Sequence, residues 1–255
     1  MKLYSKKYGD KGKNLIVIHG LFGMSDNWNS LGKKFAKDCR VHLLDLRNHG
    51  RSPHSEAFNY DVMCDDVLEY IIDNSLKKPI ILGHSLGGKV AMKLAFTHPG
   101  KIEKLIVADI APRRYNTDFV QSVIETLYKL PLENFEKREQ IDNVLSATYE
   151  NPGMRLFLMK NLYRNNEKEF DWRLNIDVLL EKVSNIQQAD FIKGVCDIPT
   201  YFIKGEKSNY ITLEDELIIN KHFSDFKITT IDSAGHWLHA ENPNRFYTEV
   251  LKWVK

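Results

Sequence analysis

Six short, largely apolar runs punctuate the chain: Leu15–Ile18, Val41–Leu44, Ile80–Leu82, Leu105–Ala108, Tyr201–Ile203 and Ile228–Ile231. Runs of this length with little polar alternation are what strands covered on both faces require. Between the early runs the period changes. Val62, Met63, Val67, Ile71 and Ile72, and then Val90, Ala91, Leu94 and Ala95, recur at helical spacing. Strand, helix, strand, helix predicts an α/β fold with a mostly parallel sheet flanked by helices. The alternation breaks after about Ala111 and resumes near Cys196. In between, Phe119/Val123/Leu127, Val144/Leu145/Thr148 and Phe157/Leu158/Leu162 predict several helices and no strand. The last helix is expected over Asn244–Trp253, with Phe246, Val250 and Trp253 on one face. The simplest division is one core domain, residues 1–110 and 196–255, carrying residues 111–195 as an inserted helical cap, with no internal repeat and no flexible linker.

Composition narrows the class without changing this division. With 255 residues, 43% hydrophobic and 27% charged, the chain has the usage of a globular protein and not of a disordered or collagen-like one. It is long enough to bury a core that needs no disulfide or metal to hold it. Lys and Arg total 36 against 34 for Asp and Glu, and the charges are mixed along the chain, so nucleic acid is not an expected partner. Cys39, Cys64 and Cys196 form no C-x-x-C and cannot all pair, which fits a reducing compartment. The charged stretch Met1–Gly9 lacks the apolar segment of an export signal, and no run of about 18 apolar residues could span a bilayer. The expectation is a soluble, cytoplasmic protein.

The strongest chemical signal is Gly83-His84-Ser85-Leu86-Gly87-Gly88, at the end of one predicted strand and the start of the next helix. In that context G-x-S-x-G reads as a nucleophile elbow, a turn so tight that only small residues fit on either side of the serine. Ser85 is therefore the candidate nucleophile. A serine hydroxyl needs a base, and His236, in Ser233-Ala234-Gly235-His236-Trp237 just past the last predicted strand, is the candidate among nine histidines. His19 and His84 read as holding loop geometry, and His42, His49, His54, His98, His222 and His239 as strand or surface residues. A carboxylate must fix the imidazole. In most such folds it follows the strand after the cap, but Lys204-Gly205-Glu206-Lys207-Ser208-Asn209 offers Ser208 at that position. Asp109, at the end of the strand before the cap, is the candidate instead, and Glu206 the lesser one. The glycine-bracketed loop His19-Gly20-Leu21-Phe22-Gly23 offers the Leu21 amide as an oxyanion donor, with the Leu86 amide as the second.

These segments resemble the α/β-hydrolase superfamily, and within it the small bacterial esterases of the YbfF type. The resemblance also rests on Asp45-Leu46-Arg47-Asn48-His49-Gly50-Arg51-Ser52, Asp109-Ile110-Ala111-Pro112, Trp172-Arg173-Leu174-Asn175 and Gly235-His236-Trp237-Leu238-His239-Ala240-Glu241, and covers nearly the whole chain. It implies an acid placed as Asp109 is, and hydrolysis of carboxylic esters, or of acyl thioesters, under a helical cap. A small-molecule acyl ester of short to medium chain length is the expected partner. An acyl-CoA thioesterase on the same residues and a catalytically silent ligand-binding relative remain alternatives. No H-E-x-x-H occurs and no G-x-G-x-x-G follows the first strand, so neither metal nor other cofactor is expected. A dehalogenase or epoxide hydrolase of this fold would carry Asp where Ser85 stands. Phe22 and Trp237 adjoin the oxyanion loop and the base and are the best candidates to bind substrate. Phe119, Tyr128, Phe157, Tyr163 and Trp172 could also line an acyl pocket. Arg113 and Arg114 read as a solvated pair, with a grip on a substrate phosphate or carboxylate as the other reading.

Overall fold

The computed structural model describes residues 1–255. The first half of the chain forms β1 (Ser5–Tyr8), β2 (Asn14–Ile18), α1 (Asn29–Phe35), β3 (Arg40–Leu44), α2 (Tyr60–Asp73), β4 (Ile80–His84), α3 (Leu86–Thr97) and β5 (Lys104–Ala108). A long inserted segment follows, with α4 (Asp118–Tyr128), α5 (Arg138–Ser146), α6 (Pro152–Met159), β6 (Leu162–Arg164), β7 (Phe170–Trp172) and α7 (Ile176–Lys182). The chain then returns with β8 (Thr200–Gly205), α8 (Leu213–His222), β9 (Phe226–Ile231), α9 (Leu238–Glu241) and α10 (Pro243–Val254).

A seven-stranded sheet runs in the order β1-β3-β2-β4-β5-β8-β9, and every neighbouring pair is parallel except β1 with β3. The apolar runs follow from burial on both faces. Ile16, Ile18, Ile81, Leu105 and Val107 belong to the apolar layer shared with α2, α3 and the inserted segment, while Leu15, Val17, Leu82, Ile106 and Ile203 belong to the layer shared with α1 and α10. Alternate residues thus meet different layers, and neither face leaves room for a polar period. No helix is long and apolar enough to cross a membrane.

The structure differs from the expected elements in three places. β1 carries no apolar run, because Ser5-Lys6-Lys7-Tyr8 is an edge strand whose lysines reach polar partners: Lys6 bonds Asp26, and Lys7 donates to Asn74 Oδ1 at 2.6 Å. The inserted segment is not purely helical. Leu162, which reads as the end of a helical repeat, begins β6, and Phe170 and Trp172 pair across to Arg164 and Leu162 in a short antiparallel ribbon. Three-residue strands are too short for a period to show. Finally, Ile72, Phe119 and Val144, which fit the apolar helical repeats, are 56%, 61% and 47% exposed.

Lys89 ties the inserted segment to the helix that follows Ser85. Its ammonium, buried on α3, donates to the carbonyl of Arg113 at the start of the segment and to those of Gln187 (3.5 Å) and Gln188 (3.0 Å) near its end. The Tyr60 and Tyr115 rings stand 5.8 and 5.0 Å away. Burial, with the Arg113 charge close by, pushes the Lys89 pKa down to about 7. Between that value and the usual lysine range the unfolded chain holds a proton that the folded chain has lost, so stability rises with pH there. The stability of the wild type relative to Lys89→Met should therefore grow from pH 7 to pH 10 by at least about 1 kcal/mol, given about 1.4 kcal/mol per unit of pKa separation. Urea unfolding of both proteins across that range measures it, and parallel pH profiles would contradict it.

Candidate active site

The chain leaves β2 for β3 on one side and returns to β4 on the other, so the loops after β2 and β4 part at the carboxyl ends of the strands. Open α/β sheets bind ligands at such a switch point. Ser85 stands there, between β4 and α3, at φ +51° and ψ −117°. A Cβ on Gly83 would lie 2.2 Å from the Gly87 carbonyl oxygen, and one on Gly87 would lie 2.4 Å from that of Ile18. Neither position admits a side chain. The turn is pinned by the Ser85 N–H, which donates to the Ala108 carbonyl at 3.0 Å, and by the Lys89 N–H, which donates to the Ser85 carbonyl at 3.1 Å.

Three expected side chains meet. Ser85 Oγ lies 3.0 Å from His236 Nε2, and His236 Nδ1 lies 2.8 Å from Asp109 Oδ2. The two bonds are consistent with an imidazole that donates from Nδ1 to the carboxylate and accepts the serine hydroxyl at Nε2. Asp109 is fully buried and leaves β5 at φ +51°. Its Oδ1 accepts the Gly205 N–H at 3.0 Å, and its Oδ2 also accepts the Ser208 hydroxyl. The serine at the usual acid position thus serves the acid that stands one strand away. Glu206 points elsewhere, accepting the Ser233 N–H at 2.6 Å in the turn that leads to His236. The Tyr210 ring stacks on His236 with centroids 3.7 Å apart and planes 17° apart.

The loop after β2 closes a turn from the Gly23 N–H to the Gly20 carbonyl at 2.9 Å, with Phe22 at φ +62°. A Cβ on Gly20 would stand 3.2 Å from Ser85 Cβ, so this loop lies directly against the serine. Leu86 is the first residue of α3, and its N–H has no carbonyl within the helix to bond. His19 holds the loop: Nδ1 donates to the Gly20 carbonyl at 2.8 Å while Nε2 accepts the Leu46 N–H at 3.0 Å. His84 Nε2 donates to the His236 carbonyl at 2.7 Å. Burial pushes His19 down to about 4 and His84 well below the usual histidine range, so both serve as neutral donors.

The roles of four residues at the site escape a sequence reading. Asn161, buried in the inserted segment, donates to the Phe22 carbonyl at 2.8 Å and ties the segment to the loop. Ser208 and Tyr210 show no motif of their own. His239 reads as a surface residue yet is buried, stacked on Trp28 at 4.2 Å, with its pKa held down to about 3 by burial and by the nearby His236 charge. Its spacing three residues after His236 is the one signal that could have found it.

Ser85 opens into a cavity of about 80 Å³ whose walls include Phe22, Phe119, Phe157, Tyr210 and Trp237. Phe22 and Trp237 are thus beside the serine as expected. Tyr128, Tyr163 and Trp172 are not: they line a separate cavity of about 580 Å³, walled mainly by the inserted segment, which contains none of the three meeting side chains. Arg113 is not simply solvated, since it donates to Asp215 at 2.5 Å and lies 3.8 Å over the Tyr115 ring, while Arg114 donates to Gln187 Oε1 at 2.9 Å.

A mostly parallel sheet flanked by helices, with loops parting at its carboxyl edge, defines a fold class, and comparison bears out that class. Residues 13–243 match the family of the α/β hydrolase fold, and the chain belongs to that family. It is similar to a solved marine microorganism esterase at 39% identity and a TM-score of 0.95, covering 98% of each chain. It is 37% identical to a Haemophilus influenzae protein named as an esterase/lipase, over 93% of this chain and 81% of that one. It is 28% identical to esterase YbfF of Escherichia coli, over 94% of this chain and 92% of the relative. The chain is a hydrolase of the α/β class.

Keeping these histidines neutral has a cost in acid. The unfolded chain protonates its histidines near pH 6.5, whereas His19 and His239 resist until about 4 and 3, so unfolding takes up protons and stability falls as the pH drops through that window. The urea midpoint should decline from pH 6.5 to pH 4, and His239→Phe, which keeps a ring against Trp28, should decline less steeply. Equal slopes for the two proteins would count against the assignment.

Proposed function

We propose that the chain is a serine carboxylesterase that cleaves acyl esters through an acyl-enzyme intermediate. Ser85 attacks the ester carbonyl as His236 Nε2 takes its proton, and His236 then gives that proton to the departing alcohol. Water repeats the sequence in reverse and frees the acid. Asp109 fixes the imidazole with Nδ1–H inward and stabilises the imidazolium that forms. The Leu21 and Leu86 amides take the oxyanion, aided by the positive end of α3. The observation that carries this reading is the unbroken chain from Ser85 through His236 to the buried Asp109, at 3.0 and 2.8 Å. The inserted segment acts as the cap, its Phe119 and Phe157 closing the cavity over Ser85.

Of the short to medium acyl esters, a cavity of about 80 Å³ with aromatic walls favours the short end. A thioesterase reading would need a cation free to hold a coenzyme phosphate. Arg113 is already committed to Asp215 and to the Tyr115 ring, which favours the simple ester. Three buried, unpaired cysteines favour a reducing, cytoplasmic setting.

Ser85→Ala should fold as the wild type does, because the glycines of the elbow remain, and lose about 10³-fold or more in kcat on p-nitrophenyl acetate. An active-site phosphonate should label the wild type once, at Ser85, and leave the variant unlabelled; labelling elsewhere would overturn the nucleophile. Asp109→Asn should lose roughly 10²-fold or more in kcat, whereas Glu206→Gln should change little. Measured side by side, the opposite ranking would move the acid to the loop after β8.

A further inference from the structure

The cavity at Ser85 does not end at its own walls. Asn27, Phe157, Trp237 and His239 also border a neighbouring cleft of about 420 Å³. The cleft is the roomier of the two, about 420 Å³ against about 80 Å³. The Phe157 and Trp237 rings, packed with centroids 5.6 Å apart, stand between the two spaces, so bulk that does not fit at Ser85 would reach the cleft by parting these side chains.

The chemistry decides which half of an ester goes there. The oxygen that departs receives its proton from His236 Nε2, so the alcohol must lie on the imidazole side of the carbonyl. The cleft borders the segment that carries the imidazole: Trp237, His239, Ala240 and Glu241, which follow His236 directly in the chain, form one wall. Met154, Leu156 and Phe157 of α6 form the facing wall, and Leu156 is 65% exposed at the rim, an apolar side chain with nothing against it. Asn27, Asn151 and Lys160 add polar atoms to the same cleft.

We infer that this cleft is the subsite for the leaving alcohol, and that the enzyme selects esters of a short acid with a large, mainly apolar alcohol. The inference rests on the ester-hydrolase reading above. In the acylation step the Ser85 Oγ–acyl carbon bond forms, the acyl carbon–alkoxy oxygen bond breaks, and the serine proton passes through His236 to the alcohol. The freed alcohol leaves through the cleft. Water then forms its bond to the acyl carbon, the Oγ–carbon bond breaks, and the proton returns to Oγ.

Two ester series, followed by acid release at constant pH, separate the halves. With acetate fixed and the alcohol lengthened from ethyl to hexyl and 2-naphthylethyl, kcat/KM should rise about tenfold or more. With ethanol fixed and the acid lengthened from acetyl to octanoyl, it should fall beyond butanoyl. Met154→Trp, which fills the cleft, should abolish the gain in the alcohol series. Leu156→Asp, at an exposed position that leaves folding intact, should reduce it for the apolar alcohols. A gain confined to the acyl series, or an alcohol gain untouched by both substitutions, would overturn the subsite while leaving the esterase intact. Turnover of neither series, or full activity in Ser85→Ala, would overturn the esterase reading itself.

Discussion

Everything at this site depends on a serine held where serines rarely go. At φ +51° and ψ −117°, Ser85 occupies backbone space that costs a non-glycine residue of order 1–3 kcal/mol. It is not alone: Phe22 (φ +62°), Asp109 (φ +51°) and Ser233 (φ +60°) share the left-handed region. Each lies just past the carboxyl end of a strand, in the stretch leading into a loop that carries a candidate group. The strain persists because the sheet over-determines it. Ser85 and Asp109 each continue the ladder, donating their N–H groups to Ala108 at 3.0 Å and to Ile203 at 2.8 Å, so releasing the turn would orphan buried main-chain bonds.

The same ladder explains why the acid can stand after β5. The register sets Ala108 beside Ile203, so the exits of β5 and β8 are neighbours and a carboxylate on either reaches the same imidazole. With Asp109 on the first exit, the second is free to donate. The Gly205 N–H and the Ser208 hydroxyl both turn toward the carboxylate, compensating a buried charge that would otherwise lack partners. Around this one charge the scaffold is neutral. His19 and His84, held uncharged by burial, supply directional hydrogen bonds to the loops without adding positive charge beside the His236 imidazole, the proposed base.

How much of this was legible in the sequence follows from which signals are local. The strands β2–β5 and β8 were readable because both of their faces are buried, β9 from the run Ile228–Ile231 although it is a half-buried edge strand, and Ser85 because the elbow imposes glycines at fixed offsets. His236 and Asp109 were readable from their places at strand ends in chain order. β1 and the β6–β7 ribbon were not, since an edge strand of lysines and a pair of three-residue strands leave no hydrophobic period. Nor were the partners that act across long chain separations. Asn161 bonds Phe22 and Lys89 bonds Gln188, and no spacing within either segment announces such a contact. The aromatics divided for the same reason: Phe157 and Tyr163 are six residues apart, yet one faces Ser85 and the other a separate cavity.

These long-range bonds are what make an insertion into a lid with a fixed seat. Lys89 holds both ends of the segment to the helix that begins at the serine, and Asn161 holds its middle to the loop that lies against Ser85. A seat gripped at three points fixes the backbone that carries Phe119 and Phe157 over Ser85, so movement of these walls is left to the side chains. On the proposed reading, selectivity is then expressed beside Trp237 and the exposed Leu156, on the side of the group that departs.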